Sequence, residues 1–282
     1  MEEIKKAQDR LDVLKKIEEL EKNGIFDKDV ENDPPTIELK PEDIDYFKRG
    51  LINNLKRYFT YKAAGKMLNN LKKAGMFRFE KIVGLENIQS VSTGAIVTCN
   101  HFGAIDSFLI DQTFRAAKMK HKRMYKVIRE GNYTNPPEGF APIMRNCDTL
   151  PLSQNKETMK KFLRATNQLL QKGNFVLVYP EESMWWNYRK PRPLKNGAFR
   201  FAVKNHVPVI PMFVTMQDSE QIGPDGFPIQ IYTMHIEKPI YADQNLDDKQ
   251  NIEKLKQLNF DLWKNIYEQT YNLPLTYTCQ EK

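Results

Sequence analysis

Cysteine and histidine are scarce in this 282-residue chain, and that scarcity weighs against several kinds of chemistry. The three cysteines, Cys99, Cys147 and Cys279, form no CxxC pair and leave one thiol over. A disulfide framework and a thiolate zinc site are both disfavoured, and a reducing cytoplasm is the expected compartment. The four histidines, His101, His121, His206 and His235, are too scattered for a metal cluster, so no metal is expected. Long apolar runs are missing as well. The longest mostly apolar window, 207–216, has ten residues and two prolines, about half of the ~20 that a membrane-spanning helix needs. Residues 1–22 alternate charges of both signs, which is not the pattern of a signal peptide. HExxH, GxSxG, GxGxxG after a strand and the GxxxxGK phosphate loop are all absent, so zinc peptidases, α/β-hydrolases, dinucleotide enzymes and P-loop NTPases lose their usual signatures.

What is abundant is charge. The chain has 43 Lys and Arg against 36 Asp and Glu, a net of +7. The mean hides an asymmetry: residues 1–45 hold 8 basic and 15 acidic side chains, a net of −7, whereas residues 46–282 hold 35 and 21, a net of +14. Residues 46–81 contain ten Lys or Arg and one acid, and residues 115–129 contain seven and none. Fields of this kind call for an anionic partner: phosphate, nucleic acid or an acidic membrane face.

Residues 2–22 read as a helix built on Ile4, Leu11, Leu14, Ile17 and Leu20, and 23–41, with Asp33-Pro34-Pro35 inside, reads as a linker. Together, residues 1–45 are expected to be an acidic helical extension and linker, with 46–282 the main domain. From Tyr46 to about Leu71 a helical period of Phe47, Leu51, Leu55, Met67, Leu68 and Leu71 carries basic residues between, with a break expected near Gly65. Such a basic amphipathic segment suits either a membrane interface or a helix packed on the core. Beyond it, short apolar runs at 77–83, 95–99, 124–128, 175–179, 207–214 and 229–236 alternate with helical patterns at 107–117, 158–171, 197–205 and 248–271. Strands separated by helices predict an α/β fold with a mostly parallel central sheet.

The most informative segment is 95–106, AIVTCNHFGAID. A strand ends in Asn100-His101, a short turn follows, and Asp106 opens an apolar helix. At such a junction the turn can bring Asp106 back to the imidazole, close to the positive end of the helix. A carboxylate on one ring nitrogen fixes the tautomer and makes the other nitrogen a better base for a hydroxyl. Without neighbouring motifs, an N-cap aspartate and a loop histidine would explain the same residues.

Those motifs are present. NHFGAID resembles the NHxxxxD block of the glycerolipid acyltransferases, the 1-acylglycerol-3-phosphate and glycerol-3-phosphate acyltransferases. GFAPIMR, ending at Arg145, looks like the family's second block; VLVYPEES at 176–183 resembles its phenylalanine-proline-glutamate-glycine block; and VPVIP at 207–211 matches the fourth. The resemblance implies a glycerolipid acyltransferase-like α/β fold, His101 as general base, Asp106 as its orienting partner, and Arg145 as a contact for the acceptor's phosphate. It also gives Glu181 and its neighbour Ser183 a place in the acceptor site. The third block departs from the family: after Glu181 come Glu182, Ser183 and Met184, and the usual arginine is missing. Arg189, Lys190 and Arg192 follow closely and are alternative phosphate contacts. Trp185, Trp186 and Tyr188 beside them form the most aromatic and basic stretch, read as an active-site lid or membrane contact ahead of a nucleic acid platform.

The resemblance therefore implies transfer of a fatty acyl group from acyl-CoA or acyl carrier protein to a hydroxyl of a lysophospholipid or glycerol phosphate. No covalent acyl-enzyme, metal or cofactor beyond the acyl donor is implied. The expected setting is peripheral, on the anionic inner face of a membrane, with no nucleic acid partner. The alternatives are a thioesterase using the same pair with water, and a non-catalytic basic protein that binds lipid or nucleic acid.

Overall fold

The computed structural model describes residues 5–33 and 35–280; Ile4 and Pro34, used above to read the helix and the linker, lie outside the described residues. The chain runs α1 (Gln8–Lys22), α2 (Leu51–Lys73), β1 (Arg78–Val83), α3 (Leu85–Gln89), β2 (Ala95–Thr98) and α4 (Asp106–Ala116). There follow β3 (Met124–Ile128), α5 (Glu130–Thr134), α6 (Ala141–Asn146), β4 (Thr149–Pro151), α7 (Lys156–Gln171) and β5 (Phe175–Val178). Last come α8 (Gly197–Asn205), β6 (Val209–Ile222), β7 (Pro228–Ile236) and α9 (Asp248–Tyr271).

The strands form one seven-stranded sheet in the order β1-β7-β6-β2-β5-β3-β4. Every adjacent pair is parallel except β6 and β7, which form an antiparallel hairpin. The mostly parallel α/β architecture expected from the alternating pattern is the architecture observed. Strands β2 and β5 are almost wholly apolar because both faces are covered, as parallel strands between helical layers require. Alternate side chains serve opposite layers. Ile96, Val176 and Val209 pack with Phe162, Phe199 and Trp263 of α7, α8 and α9, whereas Val97, Leu177 and Ile210 pack with Leu68, Ile88 and Leu109 of α2, α3 and α4. Side-chain caps define two of the helices: Asn155 accepts from the Glu157 and Thr158 amides, and Asp247 with Gln250 forms a reciprocal capping box.

Three sequence expectations change. The basic helix begins at Leu51, not Tyr46, because Lys48 and Gly50 have positive φ, which a right-handed helix cannot contain. Tyr46 is instead buried, its hydroxyl donating to the Pro151 carbonyl at 2.9 Å. The helix then runs unbroken through Gly65. Strand β6 extends eight residues past Val214, through the polar stretch Gln217-Asp218-Ser219-Glu220. Pairing with β7 satisfies its backbone, so that stretch needs no apolar side chains to be a strand.

The acidic segment before α2 is bound closely to the body. Val13, Ile17 and Val30 enclose Trp185, whose indole N–H donates to the Lys28 carbonyl at 2.9 Å. Asp29 and Asp33 pair with Arg129, Asp27 with Lys195, and Glu21 with Lys190. Leu39 is buried at the other end, with its amide on the Glu130 carboxylate and its carbonyl accepting from Ser153 and Thr158. The segment is a strap along the carboxyl ends of β5, β3 and β4. Truncating Leu39 to alanine is expected to cost about 2–5 kcal/mol in urea unfolding, the range for a buried leucine. The matching change at exposed Leu51 should stay within about 0.5 kcal/mol; equal, small effects would show that the strap contributes nothing to the fold.

Candidate active site

The sheet's topology selects where a site can form. From β2 the chain crosses through α4 on one face to β3, and from β5 it crosses through α8 on the other face to β6. The two crossovers leave adjacent strands toward opposite faces of the sheet, the arrangement in which α/β sheets form a crevice at the strands' carboxyl ends. Thr98 is in register with Val178, so the segments that follow, Cys99-Asn100-His101 and Tyr179-Pro180-Glu181, run side by side.

His101 and Asp106 meet in this crevice. The imidazole Nδ1 lies 2.5 Å from Asp106 Oδ2. Asp106 is the first residue of α4, where the helix N-terminus favours a negative charge, and its side chain is only 3% exposed. The imidazole keeps 22% of its surface, and Nε2 bonds to no described residue. A charge-assisted bond of this length holds Nδ1 as the donor and leaves Nε2 as the free base.

The backbone of His101 is clamped from both sides. Its N–H donates to Glu181 Oε2 at 3.0 Å, and its carbonyl accepts from the Trp185 N–H at 3.0 Å. The Phe102 carbonyl accepts from the Asn187 N–H at 2.9 Å. Asn100 anchors the other flank: its buried side chain accepts from the Val214 N–H at 2.8 Å and donates to the Val214 carbonyl at 3.0 Å, acting as one more rung between β2 and β6. Nearby Cys99 is fully buried; burial first, then the charges of Asp106 and Glu181, push its thiol well up, so it stays protonated and is a poor nucleophile.

The comparisons with known proteins bear on this same segment. Residues 80–215 match the family model described as Acyltransferase, a span that runs from β1 through the dyad and the clamp into β6. This segment, just under half of the chain, is similar to the acyltransferase family. It is 30% identical over 178 residues, 60% of this chain, to the chloroplastic 1-acyl-sn-glycerol-3-phosphate acyltransferase of Brassica napus. It is 28% identical over 146 residues, 51% of this chain, to a chloroplastic enzyme of the same name from Arabidopsis thaliana. These matches span 48% and 38% of the relatives, so the chain covers about half of their length or less. A superposition on the crystal structure of the 1-acyl-sn-glycerophosphate (LPA) acyltransferase from Thermotoga maritima covers 77% of this chain and 85% of that one, at 19% identity and a TM-score of 0.43.

Within the segment that matches the family model, the residues singled out from sequence divide into two groups. His101, Asp106, Glu181 and Ser183 converge, but the last two are not free to take a substrate. Glu181 is buried: Oε2 accepts from the His101 amide and from the Arg192 guanidinium at 2.9 Å, and Oε1 accepts from the Arg192 amide at 2.8 Å. The buried Ser183 hydroxyl accepts from Arg192 at 2.8 Å. Glu181 is therefore a brace for the dyad's backbone, in place of the acceptor contact expected. Arg189 is held by Asp218 at 2.6 Å and Gln230 at 3.2 Å, and Lys190 by Glu21 at 2.6 Å, so neither cation stands free for a phosphate. Arg145 lies on α6, whose Ile143 packs into the same layer as Tyr179 and Ile105. Its exposed guanidinium donates to the Tyr133 carbonyl at 3.1 Å and the Thr134 carbonyl at 3.4 Å, and no bond among the described residues joins it to His101 or Asp106. Trp185 is completely buried, which rules it out as a membrane contact; Trp186 faces Arg10 and Phe227.

Two participants escape a motif search. Tyr179 stacks on the imidazole with ring centroids 4.1 Å apart and donates to Asp106. Arg192 is the cation beneath Glu181, and it also donates to the Phe26 carbonyl of the strap at 3.0 Å. The only signal for Arg192 was its place among three basic residues after the altered block. Replacing it with methionine should strand a buried carboxylate and cost about 3–5 kcal/mol in denaturant unfolding. In the double variant Arg192→Met/Glu181→Gln the losses should fall short of the sum of the singles; simple additivity would mean the pair is not coupled.

Proposed function

We propose that the chain is an acyltransferase that moves a fatty acyl group from a thioester donor, acyl-CoA or acyl carrier protein, to a hydroxyl of a lysophospholipid or glycerol phosphate. The observation that carries this reading is the 2.5 Å His101–Asp106 pair, exposed on its Nε2 side, in a crevice built by the segment that matches the family. Nε2 takes the acceptor's hydroxyl proton as the oxygen attacks the thioester carbonyl. The carbon–oxygen bond forms, the carbon–sulfur bond breaks, and the imidazolium returns its proton to the departing thiolate. Asp106 stabilises the imidazolium between those two events. The buried, protonated state of Cys99 supports direct transfer without an acyl-enzyme. No cofactor is required beyond the donor.

The acceptor class is supported by the names of the Brassica and Arabidopsis relatives, which act on 1-acyl-sn-glycerol 3-phosphate. With Arg189 and Lys190 committed to acids, Arg145 is the remaining candidate for the phosphate: it is exposed, on the dyad's side of the sheet, and its Nη1 bonds to no described residue. A peripheral seat on the anionic inner face of a membrane is supported by α2. Its carboxyl half buries Ala64 and Leu68, while Leu51, Ile52 and Phe59 of the amino half are 76%, 70% and 61% exposed among Arg49, Lys56, Arg57 and Lys62. No helix among the described residues is long and apolar enough to cross a membrane. Nucleic acid, whose phosphates would also suit the charge, has no such use for an apolar helix face.

Acyl transfer to a panel of lyso-acceptors tests the reaction. His101→Ala and Asp106→Asn are expected to lose roughly 10²–10⁴-fold in rate. Undiminished transfer by His101→Ala would remove the assignment, and thioester hydrolysis unaffected by any acceptor would favour a thioesterase. For the membrane seat, Leu51→Glu and Phe59→Glu should each weaken co-sedimentation with anionic vesicles on the order of tenfold, since each removes an apolar side chain from the contact.

A further inference from the structure

We propose that Tyr179 is a positioning residue of the dyad: its hydroxyl shares the Asp106 carboxylate with the imidazole and so limits how strongly that carboxylate holds the imidazole proton. The proposal rests on the general-base reading of His101. The geometry is that of a carboxylate with one donor on each oxygen. Asp106 Oδ2 meets the imidazole Nδ1 at 2.5 Å, and Oδ1 accepts the Tyr179 hydroxyl at 2.7 Å. The phenol ring lies against the imidazole, 15° from parallel with centroids 4.1 Å apart, so one side chain fixes both partners of the pair.

The hydroxyl acts only as a donor. Burial, then the charge of Asp106, pushes Tyr179 well above the usual tyrosine range, so it keeps its proton wherever the dyad titrates. A donor on Oδ1 stabilises the ionised carboxylate and draws charge away from Oδ2, which weakens its pull on the Nδ1 proton. It therefore keeps the imidazole poised to release a proton as well as to take one, and transfer requires both.

The other ionisable groups around the pair are already neutralised or neutral. Cys99, just past β2, is a buried thiol, Glu181 is paired with Arg192 at 2.9 Å, and Asp111 on α4 is paired with Lys126 at 2.9 Å. Tyr232 on β7 is buried and pushed up in the same way as Tyr179, and packs on Phe102. Among the described residues, His101 and Tyr179 are the side chains that hydrogen-bond to Asp106.

The test is the titration of the His101 imidazole, followed by NMR in wild type and in Tyr179→Phe, which retains the stack and loses the donor. The midpoint should move upward by roughly 0.5–1 pH unit, and the acid limb of kcat/KM for acyl transfer should move with it while KM for the acceptor stays constant. Incorporating 3-fluorotyrosine at position 179, a stronger donor of nearly the same shape, should move the midpoint the other way. A purely structural tyrosine would alter stability and leave both titrations where they were; unmoved midpoints, or shifts of the same sign in both variants, would overturn the proposal. The NMR titration needs no turnover. If the wild-type protein transfers no acyl group, the catalytic reading fails while the role of Tyr179 is still decided.

Discussion

The peptide of His101 is the point on which the rest of the site depends. A histidine at the end of a four-residue strand has little to hold it, and an imidazole that wanders by an ångström is a poor base. Here its amide is bound by a buried carboxylate and its carbonyl by the Trp185 amide, both supplied by the loop after the neighbouring strand. Glu181 can be buried there because Arg192 neutralises it from below, and Arg192 is itself held by Ser183 and the Phe26 carbonyl. A charge removed from water in this way demands every one of its partners. The brace is consequently continuous from the strap, through the arginine and the glutamate, to the backbone of the dyad.

That continuity gives the charge asymmetry a structural meaning. The acidic segment, with its net of −7, does not trail from a basic body: its acids sit on Arg129, Lys190 and Lys195. Several cations that pI-level reasoning would have offered to a phosphate or a nucleic acid are thus satisfied within the chain. The basic surface left for an external anion is correspondingly narrower, and its most distinctive part is the amino half of α2, where cations flank apolar side chains in solvent. Most exposed ion pairs contribute little to stability. The strap is held chiefly by what it buries, Val13, Ile17, Val30 and Leu39, and its charges decide what the neighbouring basic side chains can still bind.

The altered third block is also explained by this arrangement. The buried Glu181 of this block is neutralised by Arg192, eleven residues farther along the chain. The cation's task there is to support the carboxylate, and it is buried too deeply to meet a substrate. The neighbouring Glu182 takes a left-handed φ of 67° and stays on the surface, so the second carboxylate of the block does not crowd the first.

Much of this protein was legible in one dimension. Alternation of short apolar runs with helical periods determined the layered, mostly parallel sheet, because strands buried on both faces must be apolar throughout and helices covering them apolar on one side. The pairing of His101 with Asp106 was also local, since a strand, a tight turn and a helix start within six residues leave few ways for the chain to run. Whatever depended on two distant segments meeting was not legible. That Glu181 braces His101 follows from the register of β2 against β5, eighty residues apart in the chain, and the same register brings Tyr179 onto the imidazole. That Arg189 and Lys190 are already paired follows from the hairpin extension of β6 and from α1, whose polar and acidic residues read in isolation as solvated. The residue types capable of the chemistry were set by sequence; which of them remain free to perform it was decided by tertiary packing, because only packing determines which charges have already found partners.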